Sequence, residues 1–132
     1  MTLSELNSRF FSKYKYMTDK EQYGITEYWE EPKLNEDGMY VCDCESVAIW
    51  IKRNVPGFDR YDYYWCRLNG GGHCILSNGV DMIDNNVQRV ISLNEYKKMY
   101  DVTELRPYRW YELMWKFGSA KVLNVWLKMR GK

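Results

Sequence analysis

The dipeptide Asn78-Gly79 stands between two short β-compatible runs, His73 to Ser77 and Val80 to Asp84. Asn-Gly supplies the two positive-φ residues of a two-residue hairpin turn, so in this setting it is the strongest short-range hairpin signal a chain carries. Such a turn pairs Ser77 with Val80, Ile75 with Met82 and His73 with Asp84. Directly opposed residues share a sheet face with Cβ atoms ~4.5–5.5 Å apart. The turn alone therefore predicts that the single histidine of the chain lies beside a carboxylate. Ile75 and Met82 share that face, and Cys74, Leu76, Asp81 and Ile83 take the other.

Other elements gather around this hairpin. From Cys44, the residues Cys44, Val47, Ala48 and Ile51 fall at i, i+3, i+4, i+7, the pattern of one helix face, and the helix should stop before Pro56-Gly57. Thr2 with Glu5 makes a capping box for a first helix carrying Leu3, Leu6, Phe10 and Tyr14. Residues 18–38 read as an irregular wrap ending in a turn at Asp37-Gly38. Tyr61 to Leu68 suits a strand, broken at Gly70-Gly71-Gly72. Ser92 with Glu95 caps a short helix toward Tyr100, Arg106 to Phe117 reads as a strand with Pro107 near its start, and Ser119 to Met129 as a closing helix. With no repeat or linker, the prediction is one α+β domain over residues 1–132.

Charge and segment patterning exclude several function classes. Lys and Arg number 19 against 18 Asp and Glu, so the net charge of +1 gives no electrostatic case for nucleic acid or an anionic membrane. The start, Met-Thr-Leu-Ser-Glu, has no apolar leader core, and no long apolar run follows. A cytoplasmic protein is expected, with Cys42, Cys44, Cys66 and Cys74 as free thiols.

Cys44 is the cysteine with chemical promise. At the start of a helix the unpaired N–H groups and the dipole favour a thiolate, the form of cysteine that attacks carbonyls. With His73 as base and Asp84 as orienting acid, the spacing predicts a Cys44–His73–Asp84 triad if the Cys44 helix packs on the face carrying His73. Cys66 and Cys74 read as buried small hydrophobes. A zinc site drawn from these cysteines lacks the usual C-x₂₋₄-C spacing.

Tyr16, Asp19, Gly24, Tyr28-Trp29 with Pro32, Asp43-Cys44-Glu45 with Ala48, His73 with Ile75-Leu76, and Ile83-Asp84-Asn85 follow one another in an order that resembles the bacterial transglutaminase-like cysteine peptidases. That family's signatures are Tyr-Trp-x-x-Pro, Gly-Asp-Cys-Glu-Asp-x-Ala, His-Ala-Val-Leu and Leu-Asp-Asn. The resemblance spans about Tyr16 to Asn85. Cys42 stands near the position of the family's glycine, and Ser46 replaces the second acid. The resemblance implies catalysis by Cys44, His73 and Asp84 in a papain/transglutaminase-like core, with the cysteine helix packed on an antiparallel sheet. Some members are calcium-dependent proteases, and in them the positions matching Asp43 and Glu45 belong to the calcium site.

For this chain Asp43 and Glu45 read first as favourable charges at a helix N-terminus, and calcium second. No other cofactor is implied. Tyr28 and Trp29 read as core residues, or as donors to an oxyanion hole beside the Cys44 backbone N–H. The expected partner is a protein or peptide substrate, and the expected chemistry is thiol hydrolysis through an acyl-enzyme thioester. Transamidation or deamidation by the same triad is the alternative within catalysis. Outside it stands a non-catalytic interaction module, since small stand-alone chains resembling this family occur in bacteriophage.

Overall fold

A computed structural model describes residues 3–18 and 29–129. Thr2, Asp19, Gly24 and Tyr28, which carried parts of the sequence reading, lie outside the described residues. The chain is α+β. Helix α1 (Leu3–Arg9) is followed by a short 3-10 turn and strand β1 (Tyr14–Tyr16), which pairs in parallel with β2 (Tyr40–Cys42). Helix α2 (Cys44–Asn54) comes next, then β3 (Asp62–Leu68), β4 (Gly71–Ser77), β5 (Asp81–Ile83) and β6 (Ile91–Ser92). Helix α3 (Leu93–Met99), β7 (Val102–Pro107) and helix α4 (Trp110–Met129) complete the order. The main sheet is antiparallel in the order β6-β5-β4-β3-β7. No helix among the described residues is long and apolar enough to cross a membrane.

Both faces of this sheet are covered. Val47, Ala48 and Ile51 of α2 pack with Cys74, Leu76 and Ile83, joined by Leu6 and Phe10 from the N-terminal segment and Ala120 from α4. On the opposite face α3 sends Leu93 and Tyr96 against Cys66, Ile75 and Met82. These groupings confirm the period-2 assignment of β4 and β5 to their two faces. They also correct one expectation: α2 packs on the Cys74 face, not on the face of His73, Ile75 and Met82. Trp29 is 2% exposed and meets Tyr63, Tyr108 and Phe117 edge-on, which pins the chain to the domain at this residue.

Turn chemistry decides the hairpin register, and it differs from expectation. Leu76 pairs with Ile83 and Ser77 with Met82. The Asn78 side-chain oxygen accepts from the backbone N–H groups of Val80 (2.9 Å) and Asp81 (2.7 Å). Asn78 therefore opens the turn, and Gly79, at φ +93, takes its first central position. The pairing moves by two residues, an even number, so every side chain keeps its face. The turn with two positive-φ central residues forms one hairpin earlier, at Asn69 (φ +49) and Gly70 (φ +86), where Leu68 pairs with Gly71. The break anticipated across the three glycines is thus one tight turn, and Gly71 and Gly72 belong to β4.

The expected strand from Arg106 to Phe117 is also corrected. Strand β7 ends at Pro107, which brings no N–H to a ladder, and α4 begins at Trp110. Glu112 accepts from the Arg109 backbone N–H at 2.9 Å and from the Arg106 guanidinium at 2.9 and 3.2 Å, closing the first turn of the helix. The aromatic residues Tyr108, Trp110, Tyr111, Trp115 and Phe117 have high strand preference, and tertiary packing of Leu113, Phe117 and Ala120 at helical spacing outweighs it. Strand β7 itself carries a bulge: Trp65 pairs with Arg106 but Arg67 with Thr103, and the extra residue falls beside Glu104 at φ +54.

Candidate active site

Helix α2 begins at Cys44, as its periodicity predicts. Asp43 is the N-cap, its side chain accepting from the Ser46 backbone N–H at 3.5 Å. On the β5 side, pairing of β4 reaches back only to Leu76, so the backbone of His73 and Cys74 lies beyond the end of that ladder. There the N-terminus of α2 meets the sheet. Cys44, Glu45, His73 and Cys74 line one cavity of about 150 Å³, together with Trp29, Trp65, Gly72 and Tyr108. A larger cavity of about 420 Å³ on α4 is lined by none of these groups.

His73 and Asp84 form the best-defined part of the site. His73 Nε2 and Asp84 Oδ2 are 2.8 Å apart, and both residues are buried. Asp84 reaches the ring diagonally, because the register places residue 84 opposite Ile75 rather than opposite His73. Its carboxylate accepts three further hydrogen bonds: Tyr96 Oη donates to Oδ2 at 2.7 Å, and the backbone N–H groups of Asn86 and Val87 donate to Oδ1 at 3.0 and 2.7 Å. Asp84 is therefore immobilised from two sides, and its bond fixes the imidazole with Nδ1 as the nitrogen left for chemistry.

Cys44 departs from expectation in its electrostatics. Its thiol donates to Glu45 Oε2 at 3.2 Å rather than to His73. Burial pushes the thiol well above its ordinary pKa, the Glu45 carboxylate adds to this, and a backbone hydrogen bond from Cys74 acts only partly in the other direction. The helix N-terminus was expected to lower this value. Desolvation and the flanking acids Glu45 and Asp43 outweigh it, since both disfavour a second negative charge. These surroundings favour the neutral thiol.

The remaining candidates divide. Trp29 lines the cavity, and its buried indole Nε1 has no hydrogen-bond partner among the described residues, so it is an available donor. Tyr28 lies outside the described residues. Asp43 is committed to its cap and Glu45 to the thiol. Among the described residues no group of three or more metal-binding side chains is present.

Sequence reasoning missed two contributors. The sequence places Tyr96 on a short helix, and nothing local marks it as the partner of Asp84. Spacing places Tyr14 on the first helix, yet it lies in β1 with its hydroxyl buried. It lines a second cavity of about 240 Å³ with Tyr16, His73, Asn85 and Asn86. Burial, then the Cys42 thiol, push the Tyr14 hydroxyl well above its usual pKa, while nearby Asn85 acts in the opposite direction without reaching hydrogen-bond geometry.

His73 thus stands between two cavities, one holding the thiol and one holding uncharged polar groups. No protein-family model matches the chain, and no curated protein matches it as a relative.

Proposed function

We propose that this chain is a thiol hydrolase, a peptidase or amidase, with Cys44 as nucleophile, His73 as general acid–base and Asp84 as the orienting acid, on a papain/transglutaminase-like core. One observation carries the reading: a buried imidazole held through Nε2 by a fully bonded carboxylate borders the same small cavity as a cysteine at a helix N-terminus. A satisfied structural histidine needs no thiol beside it, whereas a nucleophile, a base and an orienting group in one cavity meet the requirements of acyl transfer.

His73 Nδ1 takes the Cys44 proton as Sγ bonds to the substrate carbonyl carbon, and the carbonyl electron pair moves onto oxygen. The oxyanion is stabilised at the α2 N-terminus, with the Trp29 indole N–H as a side-chain donor. The imidazolium then protonates the amine as the C–N bond breaks, leaving a thioester. Water, deprotonated by His73, attacks that thioester, and the departing sulfur regains the proton. An amine in place of water would make the enzyme a transamidase; a glutamine side-chain amide as substrate, with water, would make it a deamidase.

Trp29→Phe removes the N–H together with the five-membered ring of the indole, and the gap it leaves among Tyr63, Tyr108 and Phe117 should cost about 1–3 kcal/mol of stability. In the protein that remains folded, kcat should fall by about 10², the scale of one oxyanion donor. An unchanged kcat would remove Trp29 from the mechanism.

The neutral thiol bonded to Glu45 favours a second reading, a non-catalytic interaction module on the same scaffold. Labelling with a peptidyl acyloxymethyl ketone, with mass-spectrometric site mapping, separates the two. Hydrolase chemistry requires Cys44 to be modified in the native protein and the reaction to be lost in His73→Ala. A native protein whose Cys44 resists while all four cysteines react after unfolding is a module. Glu45→Gln should lower the Cys44 pKa and raise its alkylation rate near pH 7 by up to ~10-fold for each unit recovered. An unchanged rate would show that burial alone keeps the thiol neutral.

A further inference from the structure

Helix α4 is apolar on two opposite sides. Leu113, Phe117 and Ala120 face the domain core. Tyr111, Trp115, Gly118, Val122, Val125 and Met129 form an outer stripe, with Trp115 76%, Val122 70% and Met129 81% exposed. A helix that is apolar all round is normally buried all round. The stripe positions are separated by 4, 3, 4, 3 and 4 residues, the spacing of a coiled-coil seam.

We propose that this stripe is a two-fold interface on which a second copy of the chain docks, its α4 antiparallel to the first. Three observations select this occupant. The first is area. Large side chains present ~150–250 Å² each. At their exposures the stripe and the flanking Trp110, Met114 and Trp126 (71%, 65% and 44% exposed) together offer roughly 800–1,000 Å², beyond the patches monomers usually expose and about what each partner of a stable dimer contributes.

The second is the fit of the layers. A two-fold axis near residue 120 sets Tyr111 opposite Met129, Trp115 opposite Val125 and Gly118 opposite Val122, so the two bulkiest residues of the seam never meet their own copies. A parallel pair would stack Trp115 on Trp115 and leave a void between two copies of Gly118. The third is shape. The cavity of about 420 Å³ beside Gly118 and Ser119 lies between Trp115 and Val122, and a Cβ added at Gly118 would meet nothing within 4 Å. A concave notch receives a side chain, whereas a membrane surface asks for a convex apolar face. Lys121 and Lys128 are exposed beside the stripe, where like-charge repulsion is weak and screened by salt.

Sedimentation equilibrium of the full chain tests the proposal. At about 50 µM, a concentration that populates dimers with micromolar Kd, a mass twice 16.0 kDa is expected. Association should strengthen with added salt. Val122→Lys changes a residue that is exposed in the monomer, so it should keep the melting transition while weakening association by at least about 100-fold. Labels introduced at Lys128 of the two copies should lie roughly 25–30 Å apart, given 1.5 Å rise per residue from the axis. A monomer at this concentration overturns the proposal, as does a dimer indifferent to Val122→Lys or a label separation near 10 Å. A monomer that instead cosediments with phosphatidylserine vesicles, losing them as salt rises, would assign the stripe to lipid.

Discussion

Replacing Cys44 with alanine is expected to abolish peptide or amide hydrolysis, a loss on the order of 10⁵–10⁶ in kcat if the triad acts as a unit. The protein should survive the change. Cys44 is only partly exposed, and what its sulfur loses is the contact to Glu45 and the backbone hydrogen bond from Cys74, both weak sulfur interactions. Release of new amino termini from a peptide library, measured beside a melting curve, reads both quantities. Turnover that persists in the folded variant would sink Cys44 as the nucleophile. Cys44→Ser separates geometry from reactivity, because it keeps a hydroxyl in place yet should be nearly as inactive.

Asp84 carries the second large effect, and here stability and chemistry part. Its carboxylate accepts from His73, Tyr96 and the backbone N–H groups of Asn86 and Val87 inside the core. Asp84→Ala leaves these buried donors facing a cavity, and a cost of about 3–5 kcal/mol is expected, near that of breaking a buried ion pair. For a chain of this size that is a fall of roughly 10–20 °C in Tm. Asp84→Asn keeps the shape but turns an amide N–H₂ toward donors. It should cost about 1–3 kcal/mol. It should also lower kcat by about 10³–10⁴ by misplacing the imidazole tautomer.

Tyr96→Phe distinguishes support from chemistry. It removes one of the two donors to Asp84 Oδ2 and leaves His73 in place, so stability should fall by about 1 kcal/mol while turnover changes little. An Asp84→Asn variant as active as the parent, with Asp84→Ala still destabilised, would make Asp84 a structural residue alone.

Local chemistry made much of the site legible in the sequence. The i, i+3, i+4, i+7 spacing from Cys44 and the stop before Pro56-Gly57 locate α2, because a helix face must repeat every 3.6 residues and proline cannot continue it. Alternation put His73 and Asp84 on one sheet face. That placement survived the wrong register because an even shift leaves the faces unchanged. The register itself was not legible. Two Asn-Gly dipeptides were present, and only the folded chain shows that Asn69-Gly70 forms the tight turn while Asn78 spends its side chain on the backbone of Val80 and Asp81.

Tertiary structure decided the rest, for reasons no single segment contains. The aromatic run before Phe117 has the local preference of a strand, and it becomes a helix because Leu113, Phe117 and Ala120 find a core to pack on. The side of the sheet on which α2 lies and the hydroxyl of Tyr96 on Asp84 follow from long-range packing. So does the direction in which the Cys44 pKa moves. A helix N-terminus lowers a thiol pKa by a local dipole visible in the sequence, whereas desolvation depends on every element that closes over the sulfur. Here burial, then Glu45, push the thiol pKa up although the residue opens a helix.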